Sequence, residues 1–82
     1  MITAKQIRKA RLLLRITQEQ LAADAQVPLT ILRNIETGRI SLNRIYAATI
    51  KVALEGLGVE FKEDNSVRLR PAHIASTPFS WD

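Results

Sequence analysis

The chain has 82 residues, a formal net charge of +4, 46% hydrophobic residues, one histidine and no cysteine. That is one small domain, with or without a tail, long enough to bury a core but too short for a two-lobed enzyme and too apolar for wholesale disorder. The missing thiols exclude a disulfide framework, a cysteine nucleophile and a thiolate-held zinc, and no apolar run approaches the ~20 residues needed to span a bilayer.

In chain order, Ile2-Thr3-Ala4-Lys5-Gln6-Ile7 is a helix start with two reinforcing devices. Thr3 and Gln6 stand at capping-box spacing, and Ile2 and Ile7 occupy the two staple positions. Ile7, Ala10 and Leu14 continue at helical spacing, with Arg8, Lys9 and Arg15 largely off that face. The same devices return at Ile16-Thr17-Gln18-Glu19-Gln20-Leu21 and predict a second helix from about Gln18 to Ala25, which Pro28 prevents from continuing. A third helix begins near Pro28 and runs to Thr37, where Gly38 follows as the usual terminator. Ser41 is the candidate cap of a fourth helix over about residues 42–57, ended by Gly58.

The fourth helix carries one stripe of Ile45, Thr49, Val52 and Ala53 and another of Tyr46, Ile50, Leu54 and Leu57, with a narrow polar strip of Arg44, Lys51 and Glu55. A helix apolar on two sides needs two partners. One is the domain's own core, and the other is expected to be a second subunit. From Val59 the period changes to two. Val59-Glu60-Phe61-Lys62 and Val67-Arg68-Leu69-Arg70 flank a turn at Glu63-Asp64-Asn65-Ser66, a β-hairpin with Val59, Phe61, Val67 and Leu69 on one face. An isolated hairpin is marginal in water, so this one must pack on helix 4 or pair with another strand. Pro71 ends it. The remaining tail has no period, and its Ile74, Phe79 and Trp81 are candidates for docking on the domain or its partner. The organisation read from these signals is a helical domain over 1–58, a hairpin over 59–70 and a tail over 71–82.

Charge divides the chain unevenly. Residues 1–54 carry nine basic and three acidic groups, net +6, whereas residues 55–82 carry three basic and five acidic groups, net −2. A basic N-terminal two-thirds favours a polyanionic partner.

Two helices joined by about three residues are the arrangement of a DNA-reading helix-turn-helix. Residues 18–37 resemble the phage-repressor-like (Xre-type) helix-turn-helix family, most specifically in Thr17-Gln18-Glu19-Gln20-Leu21-Ala22 and Ile35-Glu36-Thr37-Gly38. The resemblance covers about residues 3–57. Leu21, Ala25, Val27, Leu32 and Ile35 fall where the family places apolar residues, and Ala22 where its two helices approach closely. The implied fold is mainly α, a lambda-repressor-like domain of four to five helices followed by a C-terminal β-hairpin, as in small single-domain members. Two positions depart from the family. Gln26 stands at the turn position usually held by glycine, at a cost of about 1 kcal/mol if it adopts left-handed angles. Pro28 replaces a capping Ser or Thr and removes an amide.

By resemblance, Leu29, Thr30, Arg33 and Asn34 are the base-reading positions. Arg33 can fork onto guanine O6 and N7, Asn34 can pair with adenine or bind a phosphate, and Thr30 and Leu29 offer methyl groups to thymine. The alternative for Leu29, and for Ile31, is edge-of-core packing. Gln18, at the start of helix two, is implied as a phosphate or outer base contact, and Arg39 and Arg44 flank the loop after helix three as phosphate clamps. The resemblance also implies a structural ion pair between Arg11 and Glu36. The expected dimer interface is Tyr46, Ile50, Leu54 and Leu57 with Val59, Phe61, Val67 and Leu69.

The leading function is sequence-specific binding of double-stranded DNA by a homodimer, a transcriptional repressor or autorepressor on a pseudo-palindromic operator. The alternative is a protein-interaction module, antiactivator or antitoxin-like, on the same fold. No enzyme is expected, because no nucleophile-base constellation is present. His73 has no cluster with it, and Glu60, Glu63 and Asp64 lack calcium-loop spacing, so neither metal nor cofactor is expected. No small-molecule ligand and no membrane association are expected. With no apolar leader in Met1–Gln6, the expected location is the cytoplasm, on the nucleoid.

Overall fold

The computed structural model of the chain describes residues 1–71. Four helices, α1 (Ala4–Leu14), α2 (Gln18–Ala25), α3 (Leu29–Glu36) and α4 (Arg44–Gly56), precede an antiparallel pair of strands, β1 (Val59–Phe61) and β2 (Val67–Leu69).

α1 and α2 start and stop by the same devices. The Thr3 N–H donates to Gln6 Oε1 at 2.8 Å while the Gln6 N–H donates to Thr3 Oγ1 at 3.2 Å. Thr17 and Gln20 repeat this reciprocal box at 2.8 and 3.0 Å. Each box satisfies two N–H groups that a helix start otherwise leaves unpaired. At the far ends, Arg15 (φ 58°) and Gln26 (φ 57°) turn left-handed. The next residues fold back, with Ile16 N–H donating to the Arg11 carbonyl at 3.2 Å and Val27 N–H to the Ala22 carbonyl at 2.9 Å. This is the Schellman arrangement. Gln26 thus takes the angles the family's glycine would take, at a cost of about 1–2 kcal/mol. Arg15 carries the same strain, unforeseen in the sequence. α3 closes in the same way but uses Gly38 (φ 80°), where the left-handed turn costs a glycine nothing.

Ser41 does not cap α4. Leu42 packs on the core, and Asn43, in extended conformation, takes the cap with Oδ1 accepting from the Tyr46 N–H at 2.8 Å. Asn and Ser cap about equally well, so this tertiary contact of Leu42 decides between them.

Ile7, Leu21, Leu32, Ile35, Ile50, Leu54 and Val59 are the largest fully buried side chains. They come from all four helices and β1, so one core serves the whole described chain. The two apolar stripes of α4 correct the expected dimer interface. Ile50 and Leu54 have no exposed surface, and Val59 and Val67 are buried with them, so these four residues belong to the subunit's own core. The outward stripe is the other one: Ile45 is 74% and Val52 67% exposed, with Ala48 and Thr49 between them. Tyr46 and Phe61 are half-buried at the core's edge, and Leu57 and Leu69 are exposed.

The hairpin pairs Val59 with Leu69, Glu60 with Arg68 and Phe61 with Val67. Bonds from Lys62 N–H to the Ser66 carbonyl (2.9 Å) and from Arg70 N–H to the Gly58 carbonyl (2.7 Å) extend the ladder at both ends. β1 packs on α4 and β2 on α1. The expected apolar face is therefore covered unevenly, with Val59 and Val67 inside and Leu69 left 44% exposed. Gln6 locks the hairpin to α1. Its Oε1 completes the α1 capping box, and its Nε2 donates to the Asn65 carbonyl at 3.1 Å in the turn. Both ends of this buried amide are therefore satisfied, as burial requires.

No helix among the described residues is long and apolar enough to cross a membrane. Nor do those residues contain a group of three His, Asp or Glu side chains able to hold a metal ion. His73 and the apolar tail residues Ile74, Phe79 and Trp81 lie outside the described residues.

Candidate nucleic-acid interface

α2 and α3 are joined by Gln26, Val27 and Pro28. The left-handed Gln26 reverses the chain, buried Val27 anchors the turn, and Pro28 (φ −56°, ψ 137°) launches α3 without a side-chain cap. Ala22 is buried where the two helices approach, and a small side chain lets their backbones come close. α3 then turns Leu32 and Ile35 fully inward.

Its outward side carries Thr30, Arg33 and Thr37, all exposed and spaced at three and four residues. Asn34 is half-buried, and its carbonyl accepts from the N–H groups of Arg39 (2.8 Å) and Ile40 (3.3 Å), closing the loop after α3. Leu29 is half-buried and packs against the core, as does Ile31. Of the four base-reading candidates, then, Thr30 and Arg33 stand fully outward, Asn34 stands at the margin, and Leu29 is mainly an edge-of-core residue. Thr37, which the sequence did not single out, joins the stripe. Its Oγ1 donates to the Arg33 carbonyl at 2.9 Å and tightens the end of α3.

One polar network fixes α3 against α1 and α2. Arg11 Nε and Nη2 donate to Glu36 Oε2 and Oε1, both at 3.0 Å, and Nη1 donates to the Ile16 carbonyl at 3.2 Å. Gln18 Nε2 donates to Glu36 Oε1 at 3.1 Å. Glu36 thus accepts three hydrogen bonds while its side chain is only 3% exposed. The guanidinium fork matches a carboxylate in geometry as well as charge. Gln18 is tied into this network by one of its two N–H donors, a structural role that local sequence could not reveal because Glu36 lies 18 residues away.

Beside the network, Arg8, Arg11, Gln18, Glu36 and Thr37 line a polar depression. It brings Arg8 of α1 next to the end of α3, on the side where the outward stripe finishes. Arg39 and Arg44 are both exposed, one on each side of the 39–43 loop. Exposed cations thus stand on α1 next to the end of α3 (Arg8), on α3 itself (Arg33), in the loop after it (Arg39) and at the start of α4, where Arg44 lies beside Met1, Ile2, Ala47 and Lys51.

A short left-handed turn between two helices, the second anchored by its inner side and lined outside with hydrogen-bonding and cationic groups, defines a helix-turn-helix domain of the DNA-binding kind. A helix-turn-helix family model matches residues 7–62, more than half the chain, and the chain belongs to that family, as an Xre-type regulator. The matched range takes in the four helices, save the first residues of α1, and β1. The general class is thus a DNA-binding transcription regulator, in a family that is typically non-enzymatic. A comparison with curated proteins finds no match to the chain.

Proposed function

We propose that the protein is a sequence-specific repressor or autorepressor that binds a pseudo-palindromic operator as a homodimer. The observation that carries this reading is the outward stripe of Thr30, Arg33 and Thr37 on a helix whose orientation is set by the buried Arg11–Glu36 pair. Arg33 forks onto a guanine edge, Asn34 reaches an adenine edge or a phosphate, and Thr30 offers its methyl group to thymine. The Leu29 side chain supports the helix start and contributes only its exposed edge. Arg39 and Arg44 hold phosphates, and the free N–H of Gln18 adds a phosphate bond without leaving Glu36.

One such helix covers only a few base pairs. A two-fold dimer doubles the contacts, with half-sites about one DNA turn, ~34 Å, apart or a multiple of it. The surface that supports a dimer is the outer stripe of α4, Ile45, Ala48 and Val52, because water-exposed apolar side chains in a row gain most from being covered. Footprinting on DNA upstream of the gene tests the reading. Protection of two half-sites with steep salt dependence supports it; equal affinity for all sequences, or no binding to duplex DNA, overturns it in favour of a protein-interaction module.

A further inference from the structure

β1 has a free edge. The two strands form the whole sheet among the described residues, and Gly58–Arg70 and Lys62–Ser66 are hydrogen-bonded positions flanking it. Antiparallel bonding alternates, so Glu60 and Arg68 exchange the bonds between those two positions, while the N–H and C=O groups of Val59 and Phe61 point away from β2. A groove runs along this edge. Every residue from Val59 to Asp64 lines it, so it follows the strand edge and not one face, and Glu55 and Arg70 close its end. Glu55 lies three residues beyond Val52, so the end of the groove is on the same helix as the exposed Ile45–Ala48–Val52 stripe.

We propose that this groove receives the β1 strand of a second copy of the chain, antiparallel, about a two-fold axis at Phe61; this deepens, and rests on, the homodimer reading above. The choice of occupant follows from charge. With Phe61 opposite itself, Glu60 of each copy faces Lys62 of the partner subunit, twice by symmetry. Moving the axis to Glu60 would place Glu60 against its own copy, and like charges directly opposite are destabilising. Phe61 exchanges two backbone bonds with its symmetry mate, which satisfies the edge groups that the isolated subunit leaves to water. The remaining exposed part of the half-buried Phe61 ring is covered in the same step. The result is one four-stranded sheet, ordered β2-β1-β1-β2 across the dimer. An edge of this kind is otherwise a liability for uncontrolled pairing.

Sedimentation of two charge variants and their mixture tests the register. Lys62→Glu sets Glu60 against a glutamate, and Glu60→Lys sets Lys62 against a lysine. Each variant alone is expected to dimerise about tenfold to a hundredfold more weakly than the wild type, because two attractive pairs become two repulsive ones. An equimolar mixture of the two is expected to dimerise like the wild type, since both cross-strand pairs are then opposite in sign. Glu60→Lys also removes the bond to Arg68 within its own subunit, but mixing does not restore that bond, so recovery in the mixture reports the intersubunit pairs alone. Circular dichroism of each variant checks that the hairpin is folded. If the wild type is dimeric and the variants and mixture are indistinguishable from it, the register is wrong and the dimer reading stands. If the variants weaken and the mixture stays weak, the register is likewise overturned. A wild type that remains monomeric while binding its operator overturns both, and leaves the groove to an extended segment of a different protein.

Discussion

Arg11 meets Glu36 through two bonds of 3.0 Å, with side chains 13% and 3% exposed; Arg68 meets Glu60 at 2.7 Å, with side chains 53% and 36% exposed. The shorter contact is the weaker one. At the hairpin, water already solvates both charges, and holding them together gains little over leaving them apart. At the α1–α3 contact, the carboxylate is almost out of reach of water and the guanidinium keeps only a small exposed edge, so each depends far more on the other. The difference marks two kinds of region. In the helical half, α3 is held from behind by the largely buried Arg11–Glu36 pair, whose single removal strands a charge. The hairpin half is held by apolar burial of Val59 and Val67 and by the Gln6–Asn65 bond, and its surface charges remain available for a partner.

The sharpest way to break the contrast is at Glu36. Glu36→Ala leaves a largely buried guanidinium with only the Ile16 carbonyl, and urea unfolding is expected to show a loss of about 3–5 kcal/mol. Replacing the charged pair as a unit, Arg11→Met with Glu36→Leu, should lose clearly less than Glu36→Ala, because nothing charged is then left stranded; a larger loss would show that the pair contributes net stability. Asn43→Ala should cost about 1 kcal/mol, whereas Ser41→Ala should be neutral in the same assay. The reverse order would restore Ser41 as the cap. Gln26→Gly is expected to gain roughly 1 kcal/mol by relieving the left-handed turn, visible as a raised Tm.

The smallest effect lies at the hairpin. The hydrogen bond from Arg68, with the nearby Lys62 and Arg70 charges, holds the Glu60 carboxyl below its ordinary range, and bonds from Ser66 do the same for Asp64. A depressed carboxylate pKa contributes stability that is present above the unfolded value and lost as pH falls through the folded one. Acid titration of the monomer should therefore show a slight loss of stability only below the ordinary carboxylate range, and Arg68→Gln should remove the Glu60 part. Because both carboxylates are exposed, added salt should shrink the effect.

Most of the fold could be read from local signals. Capping boxes, staples and the change of period at Val59 placed α1, α2, α3 and the strands, because each depends on residues within a few positions of one another. What escaped depends on distance. Both stripes of α4 are apolar, and periodicity cannot say which one meets the core; only packing turned Ile50 and Leu54 inward and left Ile45 and Val52 outside. Asn43 displaced Ser41 because Leu42 is drawn to the core. At the site, Thr30, Arg33 and Arg44 were legible as exposed positions on a recognisable helix and loop. The second role of Gln18, the Gln6 clamp and the place of Thr37 in the stripe were not, since each rests on a partner or neighbour that folding brings near.

In the proposed complex α3 reads base edges while Arg39 and Arg44 hold the DNA backbone. Fluorescence anisotropy of Arg33→Ala and Arg44→Ala, each on the footprinted operator and on random duplex, tests it most directly. Arg33→Ala should lose about 1–3 kcal/mol on the operator and little on random DNA, with relaxed preference at one base pair in each half-site, whereas Arg44→Ala should weaken both DNAs alike and flatten the salt dependence. An equal loss on operator and random DNA for Arg33→Ala would contradict the account.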